Sequence, residues 1–191
     1  MNEEKSIKSE QIYKGRVVQL RVETVSLPDG QTKIREIVHH PGAAAIVALT
    51  NKDEGEDREV LLVEQYRKAV ESKTLEIPAG TLEEGESPEE CARRELIEET
   101  GFQASKLDKL VEFYPSPGFS SEIIHIFEAS GLKKVSDVDA ELPIRFVPLS
   151  ELLIKIRRGE IKDGKTVIGV LMVSGGWNNK SKKRSSKSPV L

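Results

Sequence analysis

Three glutamates, Glu95, Glu98 and Glu99, stand at i, i+3 and i+4 in the segment ARRELIEETG. On a helix that spacing gathers them on one face, because successive residues advance by about 100°. Like charges so placed destabilise a helix by roughly a few tenths of a kcal/mol per pair, and something must offset them. Solvation together with Arg93 and Arg94 is one means. The segment is then a Glu-rich exposed helix, an ordinary outcome in a chain whose 32 acids include 25 Glu. A divalent cation is the other means. Oxygen ligands without His or Cys select Mg²⁺ or Mn²⁺, and Mg²⁺ commonly bridges carboxylates to substrate phosphates. The one cysteine, Cys91, excludes an internal disulfide framework and a multi-Cys zinc site.

More of the segment is patterned than its three glutamates. Gly80, Glu86, Arg94, Glu95, Leu96, Glu98, Glu99, Gly101 and Phe102 fall at the spacing Gly-x5-Glu-x7-Arg-Glu-aliphatic-x-Glu-Glu-x-Gly-apolar. This resembles the Nudix box, with every specified position filled. The resemblance implies a hydrolase that cleaves a nucleoside diphosphate linked to another group, using Mg²⁺ or Mn²⁺. It implies Glu95 and Glu99 as principal metal ligands, Glu98 beside them, and the Ala79 carbonyl in the same shell. Glu86 supports the loop or serves as a peripheral ligand. Arg94 pairs with a neighbouring carboxylate, and its rigid fork orients that group.

The flanks resemble the ADP-sugar pyrophosphatase branch of that family. Pro117 lies sixteen residues after Gly101, Glu64-Gln65-Tyr66-Arg67 precedes the box, and Arg35-Glu36-Ile37-Val38 leads to His40-Pro41-Gly42. Residues 160–169, EIKDGKTVIG, match the branch's C-terminal region. The implied substrate is ADP-ribose, giving AMP and ribose 5-phosphate. GDP-mannose or another nucleoside-diphosphate sugar is the alternative, and a nucleotide-binding regulatory module without turnover is the alternative from another class. Arg67 is either an exposed strand-end arginine or a contact to the diphosphate, which a bidentate guanidinium suits. The resemblance implies that Arg35 reaches substrate from a partner subunit, in a homodimer built through the N-terminal strands. Pro117 and Gly118 most simply shape a turn, and a rigid turn beside the pocket is also how a terminal sugar would be positioned. The resemblance implies Glu141, in the loop before the last strand, as the general base, with Glu98 as rival and Glu122 as a weaker candidate.

The elements that must position these groups are readable in outline. Ser87-Pro88-Glu89-Glu90 places Ser at an N-cap, Pro at the first helical position and Glu at the third, and Gly101 supplies the stop. A helix is predicted over Pro88–Thr100. Alternation from Arg16 to Leu27, a Pro28-Asp29-Gly30 turn and Lys33–His40 predict a β-hairpin. Residues 1–10 are polar and expected to be frayed. Ala43–Thr50 is an apolar run of buried-strand length that pairs with Glu59–Gln65. Glu76–Gly80 is short and extended. Strands are expected at Leu107–Tyr114, Ile123–Phe127 and Ile144–Val147, and a polar loop at Lys133–Glu141. Ser150 is expected to cap a helix ending near Gly159, with another at Lys165–Val173. The fold class is α/β: a Nudix-type α/β/α sandwich with a mixed sheet and an N-terminal β-hairpin element. Domain bounds are 1–41 for that element, 42–174 for the hydrolase domain and 175–191 for a basic disordered tail.

Composition narrows the partners. The 191 residues carry a formal net charge of −3. Five basic side chains and no acids lie in 175–191, which leaves 24 basic and 32 acidic groups before them. An acidic body disfavours nucleic acid as the main partner, with the basic tail as the one segment suited to an anionic surface. The apolar runs Ala43–Leu49 and Val167–Val173 are too short to span a bilayer. The N-terminus, MNEEKSIKSEQ, has no apolar core of a secretory signal. These features predict a cytoplasmic protein.

Overall fold

A computed structural model describes residues 3–50, 57–135 and 139–176. The central sheet has seven strands in two orientations. Along its main path the order is β10 (Ile144–Pro148), β5 (Glu59–Arg67), β4 (Ala43–Leu49), β9 (Ile124–Lys134) and β8 (Phe102–Phe113). β4 and β9 run parallel, and the other pairings are antiparallel. The sheet is therefore mixed. β6 (Ser72–Glu76) adds to β5, and β7 (Ala79–Thr81) adds to β4.

β4 divides its second edge between two partners. Ala43–Ala45 pair with β7, whereas Ala48 and Leu49 pair with β5. Between them the Ile46 N–H donates to Pro78 O at 2.9 Å. The segment Glu76–Ala79 thus crosses from one ladder to the other just where the expected metal ligand Ala79 lies.

Strand alternation sorts the core into two layers. Ala45, Val47 and Leu49 of β4 pack with Val60, Leu62, Ile77, Ile126, Leu152 and Val170. This layer lies under α2 (Leu149–Arg157) and α3 (Gly164–Leu171). Ala44, Ile46 and Ala48 pack instead with Cys91, Ala92 and Leu96 of α1 (Pro88–Thr100). Helices on both faces of one mixed sheet make the expected α/β/α sandwich.

The N-terminal element is a three-stranded antiparallel sheet, β1 (Lys5–Lys14), β2 (Gln19–Ser26) and β3 (Thr32–His39). β2 and β3 are the expected hairpin. β1 corrects the expectation of a frayed start. It pairs with β2 from Lys5↔Ser26 to Lys14↔Gln19, and every one of its residues is exposed. Its ladder is made by backbone groups, so a polar sequence suffices.

Other boundaries differ. β8 begins at Phe102, and β9 runs on to Lys134, because the two strands pair along nearly their whole length. The polar loop therefore starts after Lys134. α2 is entered from Pro148, not capped by Ser150; the Ser150 hydroxyl lies inside the helix and donates to Asp57 at 2.5 Å. α3 starts at Gly164 behind Asp163, whose side chain accepts from Thr166 N. The predicted basic tail lies outside the described residues from 177 onward. Among the described residues no helix is long and apolar enough to cross a membrane.

Candidate active site

α1 forms with the predicted bounds. Ser87 Oγ accepts from the Glu90 N–H, and the Glu90 carboxylate accepts from the Ser87 N–H at 2.9 Å, a reciprocal capping box. Gly101 closes the helix at φ 72°, donating to Ile97 O. Leu96, Cys91 and Ala92 anchor the helix in the core. That burial turns Glu95 and Glu99 toward the β4–β7 edge of the sheet.

Arg94 is the hub of the carboxylates. Its Nε and Nη2 hold Glu86 at 2.8 and 2.9 Å, and its Nη1 donates to Glu95 at 2.6 Å and Glu98 at 3.1 Å. Nη2 also donates to Thr81 O at 3.3 Å. The Arg94 hydrogen bonds bring the Glu86 carboxyl down to about 2. Arg94 itself is held firmly protonated by the same partners.

Glu95 lies directly against Gly80. A Cβ on Gly80 would overlap the Glu95 carboxylate, so glycine leaves that carboxylate room where it stands. Glu99 accepts from the Ala79 N–H at 2.9 Å. Burial pushes the Glu99 carboxyl up to about 7, against the lowering effect of that N–H. Burial raises Glu95 as well, against the pull of Arg94. Two desolvated carboxylates whose charge is disfavoured, and which have only oxygen donors around them, suit a hard divalent cation. Glu95, Glu99, Glu98 and the Ala79 carbonyl are the groups able to hold one. Among the described residues no three acidic, thiol or imidazole groups are gathered in ligand geometry.

Glu141 reaches the same end of the helix. Its N–H donates to Glu98 O at 3.2 Å, and the Leu142 N–H donates to Glu99 O at 3.3 Å. The loop before β10 therefore caps two helix carbonyls of the residues that carry the acidic face. The Glu141 side chain is exposed.

The remaining predicted residues are placed as follows. Arg67 ends β5 and forms a bidentate pair with Glu76, at 2.9 and 2.7 Å. Arg35 on β3 pairs with Glu4 at 2.5 Å, both on the surface. Pro117 and Gly118 lie exposed in the loop joining β8 to β9. That loop runs along the end of β3: Val38 N donates to Phe119 O at 2.7 Å, and Ser121 N donates to Val38 O at 3.0 Å. Among the described residues no hydrogen bond or ion pair joins Arg35, Pro117 or Gly118 to the acidic face. Glu122 stands 3.7 Å from His40 Nδ1.

Residue types and spacing missed Glu76, Lys165, Asp163 and Thr166. Glu76 is a charged residue that is 2% exposed at the end of a strand. A charge buried before Ile-Pro, and Asp163 three residues before Thr166, were the available signals.

Residues 39–167 match the NUDIX domain, and residues 4–38 match the nucleoside diphosphate sugar hydrolase N-terminal domain. A methanol dehydrogenase activator of Bacillus methanolicus is 49% identical over 88% of this chain and 91% of that protein. An ADP-ribose pyrophosphatase of Bacillus subtilis is 46% identical over the same shares. A GDP-mannose pyrophosphatase of Yersinia enterocolitica is 38% identical over 74% of this chain and 80% of its own. In fold, the chain is similar to a crystal structure of an ADP compounds hydrolase, with a TM-score of 0.77 and 22% identity, covering 92% of this chain and 95% of that one. Nudix hydrolases generally require divalent metal ions. An intact acidic helix on a mixed sandwich, together with a domain match over most of the chain, makes this protein a member of the Nudix hydrolase family.

Proposed function

We propose that the protein hydrolyses the diphosphate link of ADP-ribose, giving AMP and ribose 5-phosphate, with Mg²⁺ or Mn²⁺ as cofactor. The observation that carries this reading is the pair of desolvated carboxylates, Glu95 and Glu99, set against the Gly80 and Ala79 backbone. Such a site favours a divalent cation, and a divalent cation favours a diphosphate. The N-terminal domain match and the ADP-ribose pyrophosphatase relative support the nucleotide-sugar class.

Glu95, Glu99, Glu98 and the Ala79 carbonyl would hold the cation. When bound, such a cation lowers the pKa of water and neutralises phosphate charge. Arg94 Nη1 hydrogen-bonds to both Glu95 and Glu98 and so restrains these two carboxylates. Glu141 accepts the proton of the attacking water, with Glu98 as its rival. Arg67 contacts the diphosphate, and Pro117 and Gly118 shape the turn against the terminal sugar.

The protein works in the cytoplasm as a homodimer. The N-terminal element, 1–41, supplies the dimer contact, followed by the hydrolase domain, 42–174, and the basic tail, 175–191. Ile7, Ile12, Tyr13 and Ile34 leave an exposed apolar set on the N-terminal sheet, which supports this assignment. Arg35 then reaches the partner's substrate.

The second reading is a GDP-mannose or broader nucleoside-diphosphate-sugar pyrophosphatase, favoured by the GDP-mannose pyrophosphatase relative. Product release from ADP-ribose, GDP-mannose and ADP-glucose, measured side by side in Mg²⁺, separates the two. A higher kcat/KM for ADP-ribose is expected; preference for GDP-mannose replaces the first reading with the second. Tight ADP-ribose binding with no AMP formed would replace both with a binding module.

A further inference from the structure

One buried polar cluster lies beside the acidic face, and apart from Arg67 its residues have none of the roles above. Glu76 Oε1 accepts from Arg67 Nε at 2.9 Å and Thr74 Oγ1 at 2.6 Å. Its Oε2 accepts from Arg67 Nη2 at 2.7 Å and from Lys165 Nζ. Lys165 also reaches Asp163 Oδ1 at 3.0 Å. Asp163 Oδ2 accepts from the Thr166 N–H at 3.0 Å and hydroxyl at 2.6 Å, and Thr166 Oγ1 accepts from the Ile77 N–H at 2.9 Å. Side chains from β5, β6 and the start of α3 therefore converge on one buried carboxylate and on the backbone that follows it.

Stability alone is a weak reason to keep such a cluster. Buried ion pairs can often be replaced by apolar groups at no loss, whereas breaking one by removing a partner is costly. What the cluster supplies is orientation. The two bonds to Glu76 use Nε and Nη2 of Arg67, and Nη1 makes none among the described residues. The Lys165 side chain is 10% exposed and the Arg67 side chain 43%. One edge of the guanidinium is thus fixed inside the protein, and the other is open to an anion. Glu76 stands three residues before Ala79, whose N–H donates to Glu99 at 2.9 Å, so the cluster lies beside the acidic face.

We infer that Glu76, held in turn by Lys165 and Asp163 at the start of α3, is a positioning residue that sets the Arg67 guanidinium for the substrate diphosphate. This rests on the nucleotide-sugar reading. A fork fixed in advance loses little side-chain freedom when the anion arrives, and misplacing it weakens binding more than it slows chemistry.

The test is a double-mutant cycle on Glu76→Gln and Arg67→Ala, read by ADP-ribose kinetics and by calorimetric ADP binding. Each single variant is expected to raise KM, and to weaken ADP binding, by about tenfold with kcat within about threefold. The double variant should be no worse than Arg67→Ala, because both changes remove one function. An unchanged KM for Glu76→Gln, or effects that multiply in full, overturns the inference. Where Glu76→Gln does not fold, Lys165→Met takes its place in the same cycle with the same two outcomes. Should the wild type form no AMP from ADP-ribose, the substrate reading fails, and the ADP-binding cycle alone decides the positioning role.

Discussion

At the scale of single residues, the site depends on a carboxylate and a glycine that exclude any alternative in the space they share. Gly80→Ala would set a methyl where the Glu95 carboxylate stands, so the carboxylate must shift. Arg94 Nη1 donates to that carboxylate at 2.6 Å, so the shift disturbs the hub. The expected result is turnover lower by about 100-fold or more with an unchanged far-ultraviolet circular dichroism spectrum, since the change falls on ligand geometry and not on the core. Glu99→Gln keeps size and removes the charge that would face the proposed cation. Turnover should fall by at least ~100-fold, and titration calorimetry should show weaker Mg²⁺ uptake. These residues were legible because their relation is local: helix spacing alone places Glu95, Glu98 and Glu99 together, and Arg94 among them. Glu76 was not legible, since its partners Arg67 and Lys165 stand 9 and 89 positions away. No local rule joins them.

At the scale of elements, legibility followed the strength of the end signals. α1 has a reciprocal capping box at one end and a left-handed glycine at the other, and it forms over the predicted residues. Ser87→Ala removes the side-chain acceptor for the Glu90 N–H and the partner of the Glu90 carboxylate. Unfolding in urea should show a loss of about 1 kcal/mol, with AMP release retained, because the cap lies a full helix away from Glu99. β1 gave no such signal. Its apolar residues Ile7, Ile12 and Tyr13 stay exposed in the single chain, so burial within the monomer never patterned its sequence. A strand made only by a backbone ladder is invisible to alternation. The start of α2 misled for a different reason: Ser150 is a good N-cap type, but β10 runs to Pro148 and leads directly into the helix. Its hydroxyl was claimed by Asp57, which is distant in sequence.

At the scale of the whole molecule, one buried charge ties the layers together and sets the response to acid. Glu76 ends β6, Arg67 ends β5, and Lys165 and Thr166 open α3, so the cluster fastens the C-terminal helix to the segment that carries Ala79. Burial raises the Glu76 carboxyl, but the Arg67 fork, the Lys165 ammonium and the Thr74 hydroxyl outweigh it and bring it from 4.5 down to about 2. A carboxylate depressed in the folded state contributes stability that is complete above its unfolded value and is lost as the pH falls toward its folded value. The loss from this group therefore falls between about pH 4.5 and about pH 2. Glu76→Gln removes the ionisation and leaves the two cations without their shared carboxylate. At neutral pH the variant should be less stable by roughly 3 kcal/mol, the range for breaking a buried pair. Between pH 4.5 and 2 the gap between wild type and variant should narrow steadily, as the wild type alone loses this contribution. Chemical unfolding at a series of pH values measures that gap. A gap that stays constant across the window would show that the Glu76 carboxylate does not titrate with folding, and that the tie between α3 and the strand ends is not electrostatic.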